Sequence, residues 1–413
     1  MSAVPDLNRL VMEHLRSGVT SPEVAGTLTA GRERILAQVE ADLDGVARSR
    51  AGKGFRIVAA NYGEGKSHLL NAIHLLARSL NFVVTTVTIS RETPLEPVDR
   101  LYRKLAARTE VPGVERRGVE ALVAALERDE ASAQRLLRVA EQSLHPRIAR
   151  VLEARLEGRR GDLEPLETEL MGYFLVHGDL ARAYRDNMGR ALPKLPRFHK
   201  EDAFDYLRLV DELTVAAGFA GWVILVDELE MVGRMGRLTR ARSYARLGQL
   251  TEGRALPHTY SVWALASSFH NDILERKEEA DKLPQWLNAR GHGELAAAVA
   301  RPLRALAEAP VLAPLSDGDL TAMLRTIITA HGAAYRWRPP YQGEDLLGVV
   351  RAAMPERDTK VRQLVRAAVQ VLDYHLLYGE SPAIEVHGLE EPRPLEPEEP
   401  DGDDFVRRDW PEP

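Results

Sequence analysis

The spacing of apolar residues in the first part of the chain predicts an α/β fold. Residues 55–60 and 82–89 are short runs of apolar and β-branched residues, which is typical of buried strands. Two more runs of this kind lie at 222–227 and 260–266. The segment between the first two has apolar positions at helical spacing, namely Leu69, Ile73, Leu76 and Leu80. Strand, helix and strand in this order predict a βαβ unit and hence a parallel sheet.

Two helical regions are predicted to interrupt and follow this core. About residues 91–220 separate the second strand from the third, far more than a simple crossover requires, and their apolar positions have helical spacing throughout. We expect a helical insertion there, within a core at 51–310. A helical lid is predicted at 311–379, where Ser316 can cap the first helix. Residues 1–50 are predicted to form an N-terminal helical segment that flanks the site.

Composition narrows the possible chemistry. The chain has 413 residues and no cysteine, which excludes disulfides, thiolate zinc sites and cysteine nucleophiles. Its net charge is −6, but residues 389–413 hold ten Asp and Glu against three Arg, so the remainder is nearly neutral. A nucleic-acid partner would therefore need a local basic surface.

The acidic, Pro-rich tail at 380–413 is predicted to be disordered. No apolar run is long enough to cross a membrane, and we expect a cytoplasmic protein without membrane contact.

The segment from Ala60 to His68 predicts a phosphate-binding loop. It follows a predicted strand and opens a predicted helix, which is the context such a loop requires. Its glycines allow backbone amides to face phosphate oxygens, Lys66 would reach the β- and γ-phosphates, and the Ser67 hydroxyl would bind Mg²⁺. Ala60 replaces the usual glycine, and a chance Gly-Lys-Ser turn is the alternative. The predicted nucleotide contacts are Ala60, Asn61, Tyr62, Gly63, Glu64, Gly65, Lys66, Ser67 and His68.

A pair of acids ends the strand predicted at 222–227. Because the carboxyl ends of parallel strands lie at one edge of a sheet, Asp227 should reach the phosphate loop. Asp227 would hold Mg²⁺, while Glu228 would polarise the attacking water. The alternative is a strand that simply ends in solvated acids.

Other polar residues are less specific candidates. Ser267 and Ser268 follow the last predicted strand and could contact the γ-phosphate, although serines there are also common turn formers. Four arginines could stabilise phosphate charge, within the chain or from a neighbouring subunit, or could be ordinary surface residues: Arg301, Arg304, Arg362 and Arg366.

A run of arginines follows Asp227 and Glu228. A helix would place several of them on adjoining faces, where they could bind a DNA or RNA backbone. The alternative to nucleic-acid binding is that these arginines lie on a solvated helix or form ion pairs between subunits. The run consists of Arg234, Arg237, Arg240, Arg242 and Arg246.

The chain resembles the AAA+ ATPases in the order of four features along its sequence. These are Gly31 and Arg32, the phosphate loop, residues 226–230, and residues 312–315 before a helical lid. Within them the chain is most similar to the BREX phage-defence ATP-binding proteins of the BrxC and BrxD type, over about residues 15–378. The fold class that follows is an α/β P-loop NTPase, AAA+-like, with a parallel sheet core.

The resemblance implies an ATPase that uses ATP and Mg²⁺ and acts as a switch or motor on DNA or a DNA-acting partner such as a helicase. It implies that Gly31 and Arg32 flank the adenine and that Ser267 or Ser268 is the first sensor. Arg304 or Arg301 would be an arginine finger in a homo-oligomer, and Arg362 the lid sensor. A rival interpretation is an ATP-dependent scaffold that recruits a helicase and hydrolyses ATP slowly or not at all.

Overall fold

The structure, a computed structural model, describes residues 6–48, 54–127, 129–158, 161–354 and 360–379. Within these ranges the strands are β1 (Phe55–Ala60), β2 (Val83–Thr88), β3 (Thr109–Glu110), β4 (Trp222–Asp227) and β5 (Thr259–Ala266). The helices are α1 (Leu7–Ser17), α2 (Pro22–Leu28), α3 (Glu33–Ala47), α4 (Lys66–Ser79), α5 (Val98–Ala107), α6 (Val119–Leu126), α7 (Glu130–Ser143), α8 (Pro146–Glu157), α9 (Glu164–Leu170), α10 (His177–Met188), α11 (Phe204–Ala216), α12 (Arg237–Thr251), α13 (Glu279–Asn288), α14 (Gly293–Ala307), α15 (Asp317–Tyr335), α16 (Gly343–Ala352) and α17 (Val361–Tyr378). The tail predicted at 380–413 lies outside the described residues.

The strands form one sheet in the order β1-β5-β4-β2-β3. β1, β5, β4 and β2 run parallel, whereas β3 pairs antiparallel with β2, so the sheet is mixed rather than wholly parallel as predicted. The register pairs Ala60 with Ala266 and Thr88 with Asp227, which places these strand ends at one edge. Beyond β1, the Ala59 amide donates to Pro310 O at 3.0 Å and Leu312 N donates to Ala59 O at 2.7 Å, extending that side of the sheet.

Each face of the sheet is covered by helices. α3 and α4 pack on one face through buried residues such as Val39, Leu43 and Ile73. The helices between β2 and β4 belong to a continuous core with the other face, in which Tyr102 and Leu152 are fully buried. The range predicted as a helical insertion thus holds helices α5 to α11 together with β3 and non-helical connections, and it shares the core of the sheet.

The lid combines the two ends of the described chain. Met12 of α1 is buried in the same core as residues of α15, α16 and α17. Arg16 of α1 donates to both carboxylate oxygens of Asp373 of α17, at 2.7 and 2.6 Å. As predicted, Ser316 caps α15: its Oγ accepts from Asp319 N at 3.2 Å, and Asp319 Oδ2 accepts from Ser316 N at 2.9 Å. The N-terminal helices thus divide, α1 and α2 joining the lid core and α3 the sheet.

In the described ranges, none of the helices combines the length and the apolar character that crossing a bilayer requires.

Candidate functional site

The phosphate-binding loop connects β1 to α4. Gly63 and Gly65 have φ values of 83° and 97°, in the left-handed region that disfavours side chains. Lys66 begins α4, and among the described residues no side chain caps this helix. The first amides of a helix lack intrahelical acceptors and carry partial positive charge. The loop therefore presents amides that suit a phosphate group.

Lys66 is buried beneath this loop. Its ammonium group donates to Ala60 O at 2.9 Å and to Asn61 O at 3.2 Å. Burial lowers the pKa of Lys66, while the carboxylates of Glu230 and Asp227 act in the opposite direction. A triphosphate would supply the anionic partner that the ammonium group lacks, since carbonyl oxygens compensate its burial only in part.

Ser67 and Asp227 meet at the carboxyl edge of the sheet, although 160 residues separate them. Ser67 Oγ donates to Asp227 Oδ2 at 2.5 Å, and Asp227 Oδ1 accepts from Glu228 N at 2.9 Å. A hydroxyl and a carboxylate are oxygen ligands of the type Mg²⁺ prefers. The donor set thus fits the metal for which these two residues were predicted.

Glu228 follows Asp227 in a conformation unusual for a residue with a side chain. Its φ is 57° and its ψ 39°, in the left-handed region, which costs energy and often marks a functional position. Partial burial, then the carboxylates of Asp227 and Glu230, raise the pKa of Glu228. Lys66 and Arg234 oppose this rise. Such a carboxylate is a better proton acceptor than an ordinary glutamate.

Glu230 is a third carboxylate at the site, and the sequence analysis gave it no role. It lines the same cavity as Lys66, and its Oε2 accepts the amide of Ala266 at 3.0 Å. Burial raises the pKa of Glu230. The acceptor contact ties the segment after β4 to the end of β5. Its spacing, two residues after Glu228, is the only signal the sequence contained.

Ser267 contacts the phosphate loop, whereas Ser268 is exposed. Ser267 N donates to Ala60 O at 3.1 Å, and Ser267 Oγ donates to Asn61 Oδ1. Asn61 in turn holds Glu64: its backbone N and its Nδ2 donate to the two carboxylate oxygens, at 2.8 and 2.9 Å. Two donors thus fix the carboxylate that the phosphate loop itself carries.

Arg32 and Arg362 are the predicted arginines that line the cavity. Buried Arg32 donates to Ala313 O at 2.7 Å and to Glu64 O at 3.3 Å, joining the loop to the start of the lid. Arg362 Nη1 donates to the Tyr62 hydroxyl at 3.0 Å, with its guanidinium 5.2 Å from the Tyr62 ring centre.

Gly31, beside Arg32, lies outside the cavity wall but close to the lid. A Cβ added at Gly31 would lie 2.7 Å from Asp319 Cγ of α15, and its φ is 67°. The close approach of α15 therefore requires glycine here.

The remaining candidate arginines are not among the residues that line the cavity, although Arg366 lies next to Gly18, which does. Arg304 is exposed on α14, and Arg301 on the same helix lies 3.5 Å from Glu252. Arg366 is exposed on α17, with its Cδ 3.0 Å from the place of a Cβ at Gly18. The chain's own fold brings none of these three to its phosphate loop.

The far end of the cavity is apolar and is built by the lid and the N-terminal helices. Its apolar wall consists of Leu15, Val19, Val24, Leu28, Ala30, Leu315, Met323, Val361 and Val365. His68 lies between this wall and the phosphate loop, with its Nε2 3.1 Å from Thr29 Oγ1. The Thr29 hydroxyl donates to Ala25 O at 2.6 Å, so His68 Nε2 must be the donor. Burial, then Arg32, lowers the pKa of His68 to about 4, leaving a neutral ring with Nδ1 as an acceptor.

The comparison with protein families agrees with this geometry. The model of the BREX system ATP-binding protein BrxC/D matches residues 5–158 and 114–380. The chain belongs to the BrxC/D family. The resemblance predicted from the sequence is thereby confirmed, and the family's description gives ATP as the ligand. Neither the curated proteins nor the solved structures contain a match.

In this BrxC/D protein the arginine run is only partly available to a partner. Arg240 is buried and forms a bidentate ion pair with Glu279, one contact being 3.0 Å. Arg246 Nη2 lies 3.1 Å from Glu96 in a largely buried pair. Arg240 and Arg246, for which a nucleic-acid contact was predicted, are both paired with carboxylates inside the fold, so their charges are already compensated there.

The other members of the run remain on the surface of the BrxC/D protein. Arg234, Arg237 and Arg242 are exposed. Arg237 lies 5.8 Å from the ring centre of Trp286, and Arg234 is close enough to lower the pKa of Glu228. Arg234 is thus the exposed member of the run nearest Glu228, and Arg237 and Arg242 are the other two exposed members.

Proposed function

We propose that this BrxC/D protein is an AAA+-like ATPase that hydrolyses ATP with Mg²⁺ and uses the cycle as a switch. The observation that carries the proposal is the 2.5 Å hydrogen bond between Ser67 and Asp227. It brings a loop hydroxyl and a strand carboxylate together beside Lys66. A bare nucleotide-binding loop would not need that carboxylate.

The chain's own groups divide the work of hydrolysis. The amides at the start of α4 and the ammonium group of Lys66 hold the triphosphate, while Ser67 and Asp227 would hold Mg²⁺. When bound, the metal neutralises charge on the phosphate oxygens. Glu228 accepts the proton of the water whose oxygen attacks the γ-phosphorus, and the bond from that phosphorus to the bridging oxygen breaks. The raised pKa of Glu228 suits it to this step.

The apolar end of the cavity links the nucleotide to the lid. An adenine ring would pack between α1 or α2 and the lid helices, because residues of both line the wall. Arg32 and Arg362 connect the same lid to the phosphate loop. Occupancy of the cavity would therefore stabilise one lid position, which is what a switch requires.

The direct test is Glu228→Gln. We expect ATP affinity within a few-fold of wild type and turnover reduced by about 100-fold or more, since a general base contributes on that scale. Phosphate release and calorimetric titration of ATP measure the two quantities. Exposed Glu157→Gln is the matched control. Unchanged turnover in Glu228→Gln would remove Glu228 from its role.

We propose that the switch or motor acts on DNA or on a DNA-acting partner such as a helicase, in anti-phage defence. The BREX description of the family and the exposed Arg237 and Arg242 support this. Exposed Arg304 is available as a finger to a neighbouring copy in a homo-oligomer. We expect the rate of ATP turnover per chain to rise when DNA is added. We also expect it to rise with protein concentration, because a finger from a neighbouring copy requires assembly.

A scaffold with little turnover is the second candidate. None of the three candidates Arg301, Arg304 and Arg366 lines the cavity, which favours the scaffold, because none of them then serves as an arginine finger within a single chain. Steady-state phosphate release with and without DNA separates the two functions. Turnover that stays at background under both conditions would support the scaffold.

A further inference from the structure

An extended segment crosses the surface of the insertion between α10 and the 3₁₀ helix Lys200–Ala203. Residues 191–199 belong to no helix or strand, and within the described chain no backbone hydrogen bond to another backbone group is made by residues 191–198. Leu192, Leu195 and Phe198 are half-buried, whereas the residues between them are exposed. Burial at every third residue, with two prolines, matches a polyproline II helix, which has three residues per turn. We call residues 191–199 the strap.

The strap is anchored by its apolar side. The ring of Phe198 lies 4.9 Å from that of Phe174 and 6.0 Å from that of Tyr206, between centres. Leu192 and Leu195 pack against the same core. The strap is therefore a fixed part of the insertion surface and presents its other two sides to solvent.

One of those sides is basic. Lys194, Arg197 and Lys200 follow one another at intervals of three residues, so they lie in a row about 9 Å apart. All three are exposed, and within the described ranges none has an ion pair or a side-chain hydrogen bond. By contrast, neighbouring Arg190 is paired with Glu153. The spacing is about one Debye length at physiological salt, so the three charges repel one another only weakly and each is available to a separate anionic group. We call these three residues the basic row.

The basic row ends beside α12. Phe204, just after the 3₁₀ helix that Lys200 begins, lies 5.4 Å from the guanidinium of Arg246. Glu96 pairs with Arg246 and is close enough to Arg242 and Glu201 for both to influence its pKa. Of the acids here, Glu96 is neutralised by Arg246, and Asp202 accepts the amide of His199 at 2.6 Å. Glu201 is exposed next to Lys200, so among the described residues the cations of the basic row outnumber the one free carboxylate beside them.

We propose that the basic row binds the sugar-phosphate backbone of a nucleic acid, together with exposed Arg242 at its end. The proposal rests on the DNA-directed part of the proposed function. A domain that reads polyproline II helices docks a PxxP segment, with its apolar residues, in an aromatic-lined groove. Leu192 and Leu195 face the core, so the accessible sides offer prolines and unpaired cations. A regular polyanion fits that arrangement without base-specific contacts.

The test compares two triple variants of the full chain for binding to duplex and single-stranded DNA. Fluorescence anisotropy measures DNA affinity from 50 to 200 mM salt for the basic-row variant K194Q/R197Q/K200Q and for a control variant, R34Q/R138Q/R338Q. The control removes three exposed arginines that carry no ion pair in the described ranges. For the basic-row variant we expect affinity to fall about 10-fold or more and the salt slope to decrease by about 2 to 3. The control variant should stay within two-fold.

Three results would overturn the proposal. The first is that the wild-type chain binds neither DNA, and the second is that both triple variants have the same affinity and salt slope. The third is that the basic-row variant loses binding to poly-glutamate but keeps its binding to DNA. The last would instead indicate an acidic protein partner. ATP turnover without DNA is measured on the same samples and should not change in the basic-row variant. Equal behaviour of the two variants, with DNA binding by the wild type intact, rejects the basic row alone. Failure of the wild type to bind DNA also rejects the DNA-directed part of the proposed function, and absent turnover in wild type rejects the hydrolysis proposal.

Discussion

The two ends of the cavity are built in different ways. The phosphate end comes from one continuous loop and the end of one strand, positioned by backbone geometry and strand order. The apolar end comes from side chains about 300 residues apart in sequence, such as Leu15 and Met323, which meet only when the lid packs. The phosphate end should therefore tolerate mutation without loss of structure, whereas damage to the apolar end should also loosen the lid.

The largest expected effect is that of Lys66→Ala. It removes the ammonium group from the phosphate end, so the affinities for ATP and for inorganic triphosphate should both fall by more than about 100-fold, as loss of charge-assisted hydrogen bonds implies. Thermal stability without nucleotide should be retained, because a buried charge is lost along with its contacts. Calorimetric titration and thermal unfolding measure this, with Lys104→Ala as control. Retained triphosphate affinity would contradict the assigned role of Lys66.

Met323→Ala tests the opposite end. Met323 is buried in the lid core and lines the cavity, so its truncation should lower the free energy of unfolding by about 2 to 5 kcal/mol. ATP affinity should fall while inorganic triphosphate affinity is unchanged. Met323→Leu, which nearly conserves volume, should cost less than about 1.5 kcal/mol. If the affinities for ATP and for inorganic triphosphate fell by the same factor, the two ends of the cavity would not bind their parts of the nucleotide independently.

A smaller effect is expected from Asn61→Ala within the phosphate end. This change removes the side-chain donor Nδ2 from the Glu64 carboxylate and leaves the backbone amide of residue 61 to hold it. A more mobile negative charge in the loop should weaken triphosphate affinity by about 10-fold, or about 1.4 kcal/mol. Glu64→Gln alone should bind at least as well as wild type. The double variant should regain most of the loss, as coupled neighbours do. If it binds as weakly as Asn61→Ala, the charge of Glu64 is not the cause.

The smallest expected effect is the pH dependence of Glu230→Gln. The pKa of Glu230 is raised by burial, so ionisation is harder in the folded than in the unfolded chain, and stability declines as pH rises from the unfolded pKa through the folded one. Gln keeps an acceptor for Ala266 N but cannot ionise. The melting temperature should rise by about one to two degrees at pH 7.5 and converge with wild type near pH 4.

The same variant should also change catalysis. Glu230 is one of the carboxylates that raise the pKa of Glu228, so removing its charge should move the acidic limb of the turnover profile to lower pH. If the acidic limb of the pH profile of turnover does not move, the charge of Glu230 does not influence the pKa of Glu228.

The comparison also explains what the sequence could predict. Gly65, Lys66 and Ser67 follow a strand in a fixed local order, and parallel strands share an edge, so the contact with Asp227 was foreseeable. The wall of the apolar end was not, because nothing in the sequence states that α1 packs on α15. Arg240 and Arg246 show the same limit, since their partners lie 39 and 150 residues away. Glu230 had no pattern of its own.

The division of the lid between both ends of the described chain has a consequence for synthesis. The phosphate loop leaves the ribosome long before α17, and the roughly 300 intervening residues take about 15 to 60 s at usual elongation rates. Throughout that interval a nascent chain has amides for a triphosphate but lacks the part of the apolar wall that α15 and α17 supply. Stable retention of ATP would therefore mark the moment at which translation has passed the last helix.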